Sequence, residues 1–171
     1  PNADGYILSS SAAGVRSWIE IPNHILTSKT TDNSNSLAGV DEILSNSVIQ
    51  AGTLSTNGSW FEVKVVGTTA SNSNVKSLYQ KFNGTTLIEN TTTTAPNGLR
   101  FVIHCNCMRI SNTTLKCFST IEFDGIAPQS SYLELSALDL NANPYNLDFV
   151  VNSVSSSDVT MYFSNGYKLD F

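Results

Sequence analysis

The sequence predicts an all-β domain, an antiparallel β-sandwich of about eight strands with a jelly-roll-like layout. Three observations predict this class. Short runs of residues alternate between apolar and polar side chains, which is the period of a half-buried strand. Turn-forming Asn, Gly, Ser and Pro residues separate these runs about every ten residues. No run shows a convincing helical spacing of apolar residues. Many short strands with frequent turns are typical of sandwiches and jelly rolls.

The strand pattern is clearest in residues 99–123, which read LRFVIHCNCMRISNTTLKCFSTIEF and predict a long antiparallel hairpin. Alternate residues of the first run are apolar and should share one sheet face, namely Leu99, Phe101, Ile103, Cys105 and Cys107. Residues 111–114, Ser-Asn-Thr-Thr, supply the turn. Strands of this length need partners on both edges, so we expect the hairpin near the middle of the sandwich.

Further strands are predicted on both sides of this hairpin. They cover residues 40–50, 60–69, 75–82, 86–89, 132–138, 146–151 and 159–171. Asn83-Gly84 is the strongest short hairpin signal in the chain. Asn165-Gly166 is also a turn dipeptide, but the apolar face continues past it through Tyr167 and Leu169. We therefore favour one bulged terminal strand over a terminal hairpin.

The composition describes a neutral polar surface. Only 13% of the residues are charged, about half the usual share of ~25%, and Ser, Thr and Asn make up roughly a third of the chain. The net charge is −5 and the nine Lys and Arg residues are scattered, which argues against a nucleic-acid partner because phosphate binding needs a basic patch. No apolar run approaches the ~20 residues of a membrane-spanning helix, so membrane insertion is not expected. The start at Pro1, without signal features, suggests a cut inside a longer protein.

The three cysteines leave two alternatives open. Cys105 and Cys107 are too close in sequence to bridge easily, and Cys117 faces them only if the hairpin register allows. We predict buried free thiols that behave as small hydrophobes, with one disulfide involving Cys117 as the alternative. A zinc site is not predicted, because His104 points to the opposite face from both neighbouring cysteines.

Calcium binding and catalysis are not predicted either. Residues 32–36 begin like a calcium loop, but Leu37 and Ile43 stand where an EF-hand needs Gly and Glu. Neither His24 nor His104 lies in a catalytic motif, and the sequence holds no Gly-rich phosphate loop or HExxH. Among 14 acidic residues some pair will lie close in space by chance, so carboxylates carry little weight. We expect a protein that is not an enzyme and needs no cofactor.

The first 22 residues contain brief apolar stretches that build no core of their own. Such a segment buries its apolar residues against copies of itself or another chain, which predicts a homo-oligomer interface at Tyr6, Ile7, Leu8, Val15 and Trp18. An arm packing on its own domain is the alternative. Residues 23–36 are polar and are predicted to be a linker or long loop. The resulting division is an arm and linker over residues 1–36 and a head domain over residues 37–171.

A family resemblance appears at this end of the chain. A Gly turn, Tyr-Ile-Leu, a Ser-rich link and Gly-Val-Arg-Ser-Trp, all within residues 5–18, resemble the short repeats that precede the terminal head of phage and viral fibre proteins. Residues 49–54 (IQAGTL), 57–63 (NGSWFEV) and 82–87 (FNGTTL) are similar to C-terminal domains of phage and environmental viral structural proteins. The resemblance implies a trimeric fibre head on the virion surface, joined to the rest of the fibre and attached to a host receptor or glycan.

Neutral loops and aromatic side chains would suit such attachment, because stacking faces and amide or hydroxyl groups need no net charge. The aromatic candidates are Trp60, Tyr79, Tyr132, Tyr145 and Tyr162. The candidate contact loops are 71–74, 90–97, 129–132 and 142–145, and within them the predicted ligand-binding residues are Asn72, Asn74, Thr92, Asn97, Tyr132 and Tyr145. Each is equally compatible with a solvated turn. The alternative functions are a purely structural virion part and a secreted carbohydrate-binding module.

Overall fold

The fold is taken from a computed structural model, which describes residues 6–10, 14, 16–20, 23–29, 31–92 and 98–169, with side chains for residues 29, 31–90 and 98–168. These residues form strands and connecting turns, without a helix that could cross a membrane. The strands are β1 (Tyr6–Ser10), β2 (Arg16–Glu20), β3 (Asn23–Lys29), β4 (Asn33–Ser34), β5 (Glu42–Ile49), β6 (Trp60–Thr69), β7 (Lys76–Phe82), β8 (Thr85–Thr92), β9 (Arg100–Ser111), β10 (Thr114–Phe123), β11 (Ile126–Leu135), β12 (Tyr145–Ser153) and β13 (Val159–Leu169).

Two antiparallel sheets form the sandwich. The larger sheet has seven strands in the order β11-β10-β9-β6-β13-β3, with β4 also paired to β13, and the smaller sheet has the order β5-β12-β7-β8. A separate hairpin pairs β1 with β2. The chain crosses repeatedly from one sheet to the other, as in a jelly roll. The predicted all-β sandwich is therefore confirmed.

The long hairpin lies near the centre of the larger sheet, as expected. β9 has β6 on one side and β10 on the other, and β10 continues to β11. Phe101, Ile103, Cys105 and Cys107 are all buried, while the residues between them are partly exposed. The predicted turn at 111–114 is also observed, and Asn83-Gly84 joins β7 to β8 with both residues at positive φ.

The core fills the space between the sheets. It is built from the inward-facing apolar residues of both, and aromatic rings connect the layers. Phe101 of β9 lies against Phe149 of β12 with ring centroids 5.6 Å apart, and Phe61 of β6 stacks on Phe82 of β7 at 6.4 Å. Such ring pairs add to the burial of their own area, so these contacts hold the two sheets together.

The leading cysteine prediction is wrong for two of the three residues. Cys107 and Cys117 lie directly opposite each other in the β9–β10 register and form a disulfide. Cys105 is a buried free cysteine, as predicted. Burial raises the pKa of the Cys105 thiol to about 12, and the hydrogen bond with Ser119 only partly offsets this shift. The thiol therefore stays protonated and inert at neutral pH.

The disulfide predicts how many cysteine thiols can be titrated. We expect one titratable thiol per denatured chain without reductant and three after reduction, because only Cys105 remains free. Replacing Cys117 with Ala should lower the free energy of unfolding by about 2–3 kcal/mol, since the bridge closes a short loop. Thiol titration and urea denaturation measure the two effects. Three thiols in the unreduced protein would contradict the bridge, and Cys105→Ala is the matched control that retains it.

The linker prediction for residues 23–36 needs correction. β3 pairs with β13 at the edge of the larger sheet, and β4 pairs with the start of the same strand. Asn35 is buried, donates to Ser153 Oγ at 3.0 Å and accepts from the Val159 backbone N–H at 2.9 Å. The sheet therefore begins before residue 37, because the long strand β13 offers an edge that a polar segment covers with backbone and side-chain hydrogen bonds.

Strands β13 and β11 test two further predictions. β13 runs unbroken through Asn165-Gly166, and its own register shift lies between Met161 and Phe163 against β6, so the prediction of one bulged strand is confirmed. β11 begins at Ile126, six residues before the predicted strand, which corrects the assignment of residues 129–132 as a loop. The turn between β10 and β11 is Asp124-Gly125, a hairpin dipeptide.

Candidate functional site

The candidate site lies on the outer face of the larger sheet, which is the face turned away from the smaller sheet. Side chains alternate between the two faces of a strand. Phe61, Cys107 and Cys117 point into the core, so their neighbours Trp60, Met108 and Phe118 point outward. An outward face of an antiparallel sheet is normally polar. Large apolar side chains here are therefore the unusual feature of this surface.

The register places these outward residues in two rows that cross four strands. One row contains Trp60, Met108, Lys116 and Glu134, and the other contains Glu62, Asn106, Phe118 and Tyr132. Neighbouring strands lie ~4.8 Å apart, so each row spans about 14 Å. The rows therefore bring aromatic and polar side chains from β6, β9, β10 and β11 into one surface.

This surface forms an open groove of about 820 Å³, which we call the aromatic groove. Its lining residues are Gly58, Trp60, Glu62, Asn106, Cys107, Met108, Lys116, Phe118 and Tyr132. Tyr132 is 60% exposed, Phe118 49% and Met108 43%. Contiguous exposed apolar surface on a folded protein marks an interaction site. The exposure of these side chains makes the groove the candidate site.

The charged groups of the groove are balanced. His104 Nδ1 lies 3.5 Å from Glu62 Oε1, and Lys116 Nζ lies 3.9 Å from Glu134 Oε2. All four side chains are partly exposed, so the pairs add little stability. Glu62 and Lys116, the two charged residues of the groove lining, have opposite signs, which leaves Asn106 and the aromatic faces to select a ligand. Among the described residues, no three His, Cys, Asp or Glu side chains are grouped as metal ligands.

Of the predicted ligand-binding residues, the structure places one in the groove. Tyr132 lies there, although on a strand rather than on a loop. Its partner in the register is Phe118 of β10, so the two rings flank one another on the sheet face. Of the other predicted aromatic platforms, Trp60 also lines the groove.

Asn72 and Asn74, which were predicted to bind a ligand, make hydrogen bonds within the fold. Both amide groups donate to the buried carboxylate of Asp158, Asn72 at 2.6 Å and Asn74 at 3.0 Å to the nearer oxygen. Their hydrogen-bonding groups therefore stabilise the turn before β7 from within.

Tyr145 is a core residue, which corrects its prediction as a loop contact. It is only 7% exposed, its ring stacks on Phe82 at 5.4 Å, and its hydroxyl accepts the Asp139 backbone N–H at 2.7 Å. For Thr92 the structure describes only the backbone, which belongs to β8, and Asn97 lies outside the described residues.

The predicted oligomer interface falls largely outside what the structure describes. Tyr6, Ile7 and Leu8 belong to β1 and Trp18 to β2, with backbone pairing between Leu8 and Trp18, but their side chains are not described. Val15 lies outside the described residues. The interface thus stays a prediction.

Sequence analysis missed Met108 and Phe118, although a signal for both was present. In the alternation of β10, Phe118 shares its face with Lys116, Thr120 and Glu122, where a polar residue is expected. Met108 is likewise an apolar residue at an outward position of β9. An apolar residue at an outward position of a central strand is therefore the pattern that indicates such a groove.

Comparisons with known proteins give distant likenesses of fold. No protein-family model matches the sequence, and no curated protein matches it significantly. Among solved structures, the PL-14 alginate lyase of Aplysia kurodai is similar with a TM-score of 0.42 and 10% identity, covering 98% of this chain and 88% of the lyase.

Two structures of infectious bursal disease virus are also similar. The VP2 subviral particle matches with a TM-score of 0.35 and 12% identity over 99% of this chain and 40% of the viral chain. The Gt strain matches with a TM-score of 0.35 and 11% identity over 94% and 37%. The chain thus spans about two fifths of the viral chains. Likenesses at this level assign no activity.

Proposed function

We propose that this chain is the head of a viral or phage fibre and attaches the particle by binding an uncharged oligosaccharide in the aromatic groove. The single observation that carries the proposal is the exposure of Phe118 and Tyr132 side by side on a sheet face that should be polar. The resemblance of the N-terminal segment to fibre repeats supports the head assignment. Host attachment and glycan binding are both proposals.

The chemistry of the groove favours a sugar over a charged ligand. Aromatic faces stack on the apolar faces of sugar rings, and amide groups exchange hydrogen bonds with hydroxyls. Asn106 lies in the same cross-strand row as Phe118 and Tyr132, and the groove lining carries one acidic and one basic residue, Glu62 and Lys116. A row of about 14 Å accommodates more than a single sugar ring. The proposed occupant is therefore a short neutral glycan chain.

Alanine substitutions in the groove test this function. We expect Phe118→Ala and Tyr132→Ala each to weaken glycan binding about tenfold, which corresponds to ~1.4 kcal/mol for one lost stacking contact. The melting temperature should stay nearly unchanged, because both side chains are about half exposed. A glycan array identifies the ligand, and calorimetry then measures its affinity.

The matched control is Tyr162→Ala. Tyr162 is an exposed aromatic residue of β13 that lies outside the groove lining, so its removal should leave binding unchanged. Undiminished binding by the double variant Phe118→Ala/Tyr132→Ala would contradict the groove as the site. A parent protein that binds no glycan and no host cell would favour the structural virion role instead.

The oligomeric state is a second part of the proposal. We expect the full chain to be a homotrimer by light scattering, since the apolar residues of the arm need a partner. The double variant Leu8→Asp/Trp18→Asp should dissociate the trimer while its circular dichroism keeps the β-sheet signal. A monomeric parent would contradict this prediction. Dissociation by Phe118→Asp would show that the groove is covered by another subunit.

A further inference from the structure

Three polar side chains at the edge of the core form a chain of contacts separate from the groove. Lys76 is the first residue of β7, Asn72 lies in the preceding turn, and Asp158 directly precedes β13. Lys76 and Asp158 are each only 1% exposed. A lysine and an aspartate are almost never buried so fully without a specific arrangement of partners. The arrangement here is unusual because an asparagine carboxamide stands between them.

The ammonium group of Lys76 is held at a fixed place. Lys76 Nζ donates to Asn72 Oδ1 at 2.8 Å, to the Asn74 backbone carbonyl at 3.0 Å and to the Asn72 backbone carbonyl at 3.3 Å. An ammonium group has three N–H donors. The three acceptors therefore fix Nζ against the side-chain carbonyl of Asn72.

The orientation of the Asn72 carboxamide follows from its two neighbours. Asn72 Nδ2 donates to Asp158 Oδ1 at 2.6 Å. A lysine ammonium can only donate and an ionised carboxylate can only accept, so the oxygen must face Lys76 and the nitrogen must face Asp158. The carboxylate is itself held by Asn74 Nδ2 at 3.0 Å and by the Ser155 backbone N–H at 3.2 Å.

We propose that Lys76 and Asn72 condense spontaneously to an intramolecular isopeptide bond, with Asp158 as the proton carrier. Lys76 Nζ attacks Asn72 Cγ, so that the Nζ–Cγ bond forms and the Cγ–Nδ2 bond breaks. One proton passes from Nζ to Asn72 Oδ1 along their hydrogen bond as Nζ attacks. In the intermediate Nζ and Nδ2 are bonded to the same carbon, and the Asp158 carboxylate beside Nδ2 takes the second proton from Nζ and gives it to Nδ2. The Oδ1 proton leaves with the departing nitrogen as the carbonyl re-forms, so both protons end on the leaving ammonium ion. Lys76 enters as an ammonium group and one ammonium ion leaves. No oxidant or other co-reactant takes part.

The site supplies what this reaction needs. A nucleophile held next to a carbonyl carbon reacts as if it were at a very high concentration. Asp158 lies within hydrogen-bond distance of the leaving nitrogen, where a general acid has to stand. Lys76 and Asp158 are both buried, which limits the access of water to the attacking nitrogen and to the carboxylate. The product amide retains one N–H on Nζ, which still reaches the Asn74 carbonyl.

Mass spectrometry of the purified, denatured full chain tests the proposal directly. We expect the mass of most molecules to be lower than the sequence mass by one ammonia. We also expect trypsin to leave the bond after Lys76 uncut, because its side chain is no longer charged. The product peptide is then residues 65–81 lighter by one ammonia. A parent protein of full sequence mass, cleaved after Lys76, would overturn the proposal whatever its variants do.

Formation of a succinimide at an asparagine also releases ammonia. Three variants distinguish the isopeptide bond from that product and test its assignment. Lys76→Arg should restore the full mass, whereas a succinimide at Asn72 would persist in that variant and overturn the proposal. Asp158→Asn keeps the shape of the side chain and should slow the loss strongly. Lys81→Arg is the matched control, because Lys81 pairs with Asp41 at the surface, and it should keep the ammonia loss. Loss of the mass change in Lys81→Arg would contradict the assignment to Lys76.

Discussion

Replacing Ile103 with Asp is expected to leave the protein unfolded at room temperature. Ile103 is fully buried in β9, opposite Ile121 of β10 and Val65 of β6. No cationic residue is paired with it in this register. An unpaired charge in such a place costs several kcal/mol, and the whole domain is stable by only about 5–15 kcal/mol. Circular dichroism and the urea midpoint measure the loss.

Thr120→Asp is the matched control for this prediction. Thr120 precedes Ile121 on β10, points to the outer face and is partly exposed. The same charge should therefore change the free energy of unfolding by less than about 1 kcal/mol. If Ile103→Asp melted like the parent, the assignment of the inner face of β9 would be wrong.

Gly67→Ala is expected to have the second largest effect. A Cβ on Gly67 would lie 2.5 Å from Phe101 Cζ and closer still to the Thr160 backbone carbonyl. The carbonyl belongs to the neighbouring strand β13 and cannot move without breaking the sheet register. Overpacking of this kind costs about 1–3 kcal/mol or more, and we expect about 3 kcal/mol here because one of the two contacts is backbone.

Urea denaturation of Gly67→Ala and of the control Thr68→Ala checks this effect. Thr68 is the next residue of β6, is partly exposed and bonds Tyr162 Oη through its hydroxyl. Its replacement should cost no more than about 1 kcal/mol. Equal urea midpoints for the two variants would contradict the predicted steric clash, because they would show that β6 and β13 can move apart at Gly67.

The sandwich class and the inner faces of its central strands were predictable from the sequence. β9 alternates throughout, and β6 and β12 over most of their length, because one side of each packs on the opposite sheet while the other is more exposed. The continuation of β13 through Asn165-Gly166 was predictable for the same reason, since the apolar face continues past a turn dipeptide. These features depend on local period and burial, which the sequence records directly.

Edge strands were harder to predict. β11 begins with five exposed residues, including Pro128, so it carries no alternation at that end. Pro is tolerated there because an edge strand leaves some N–H groups unpaired. β3 lies at the opposite edge. At an edge, pairing comes from backbone hydrogen bonds and leaves little pattern in the side chains, although Asp124-Gly125 did signal the hairpin into β11.

Register and proximity were decided only by the tertiary structure. A shift between Thr114 and Leu115 moves Cys117 opposite Cys107, whereas an unshifted hairpin would place it opposite Met108. The same register aligns Phe118 with Tyr132, and the packing of separate strands brings Asp158 to Asn72. The sequence alone determined which side chains face inward, because that follows from a period of two. It could not determine which residues meet, because a shift of one residue between strands changes every partner.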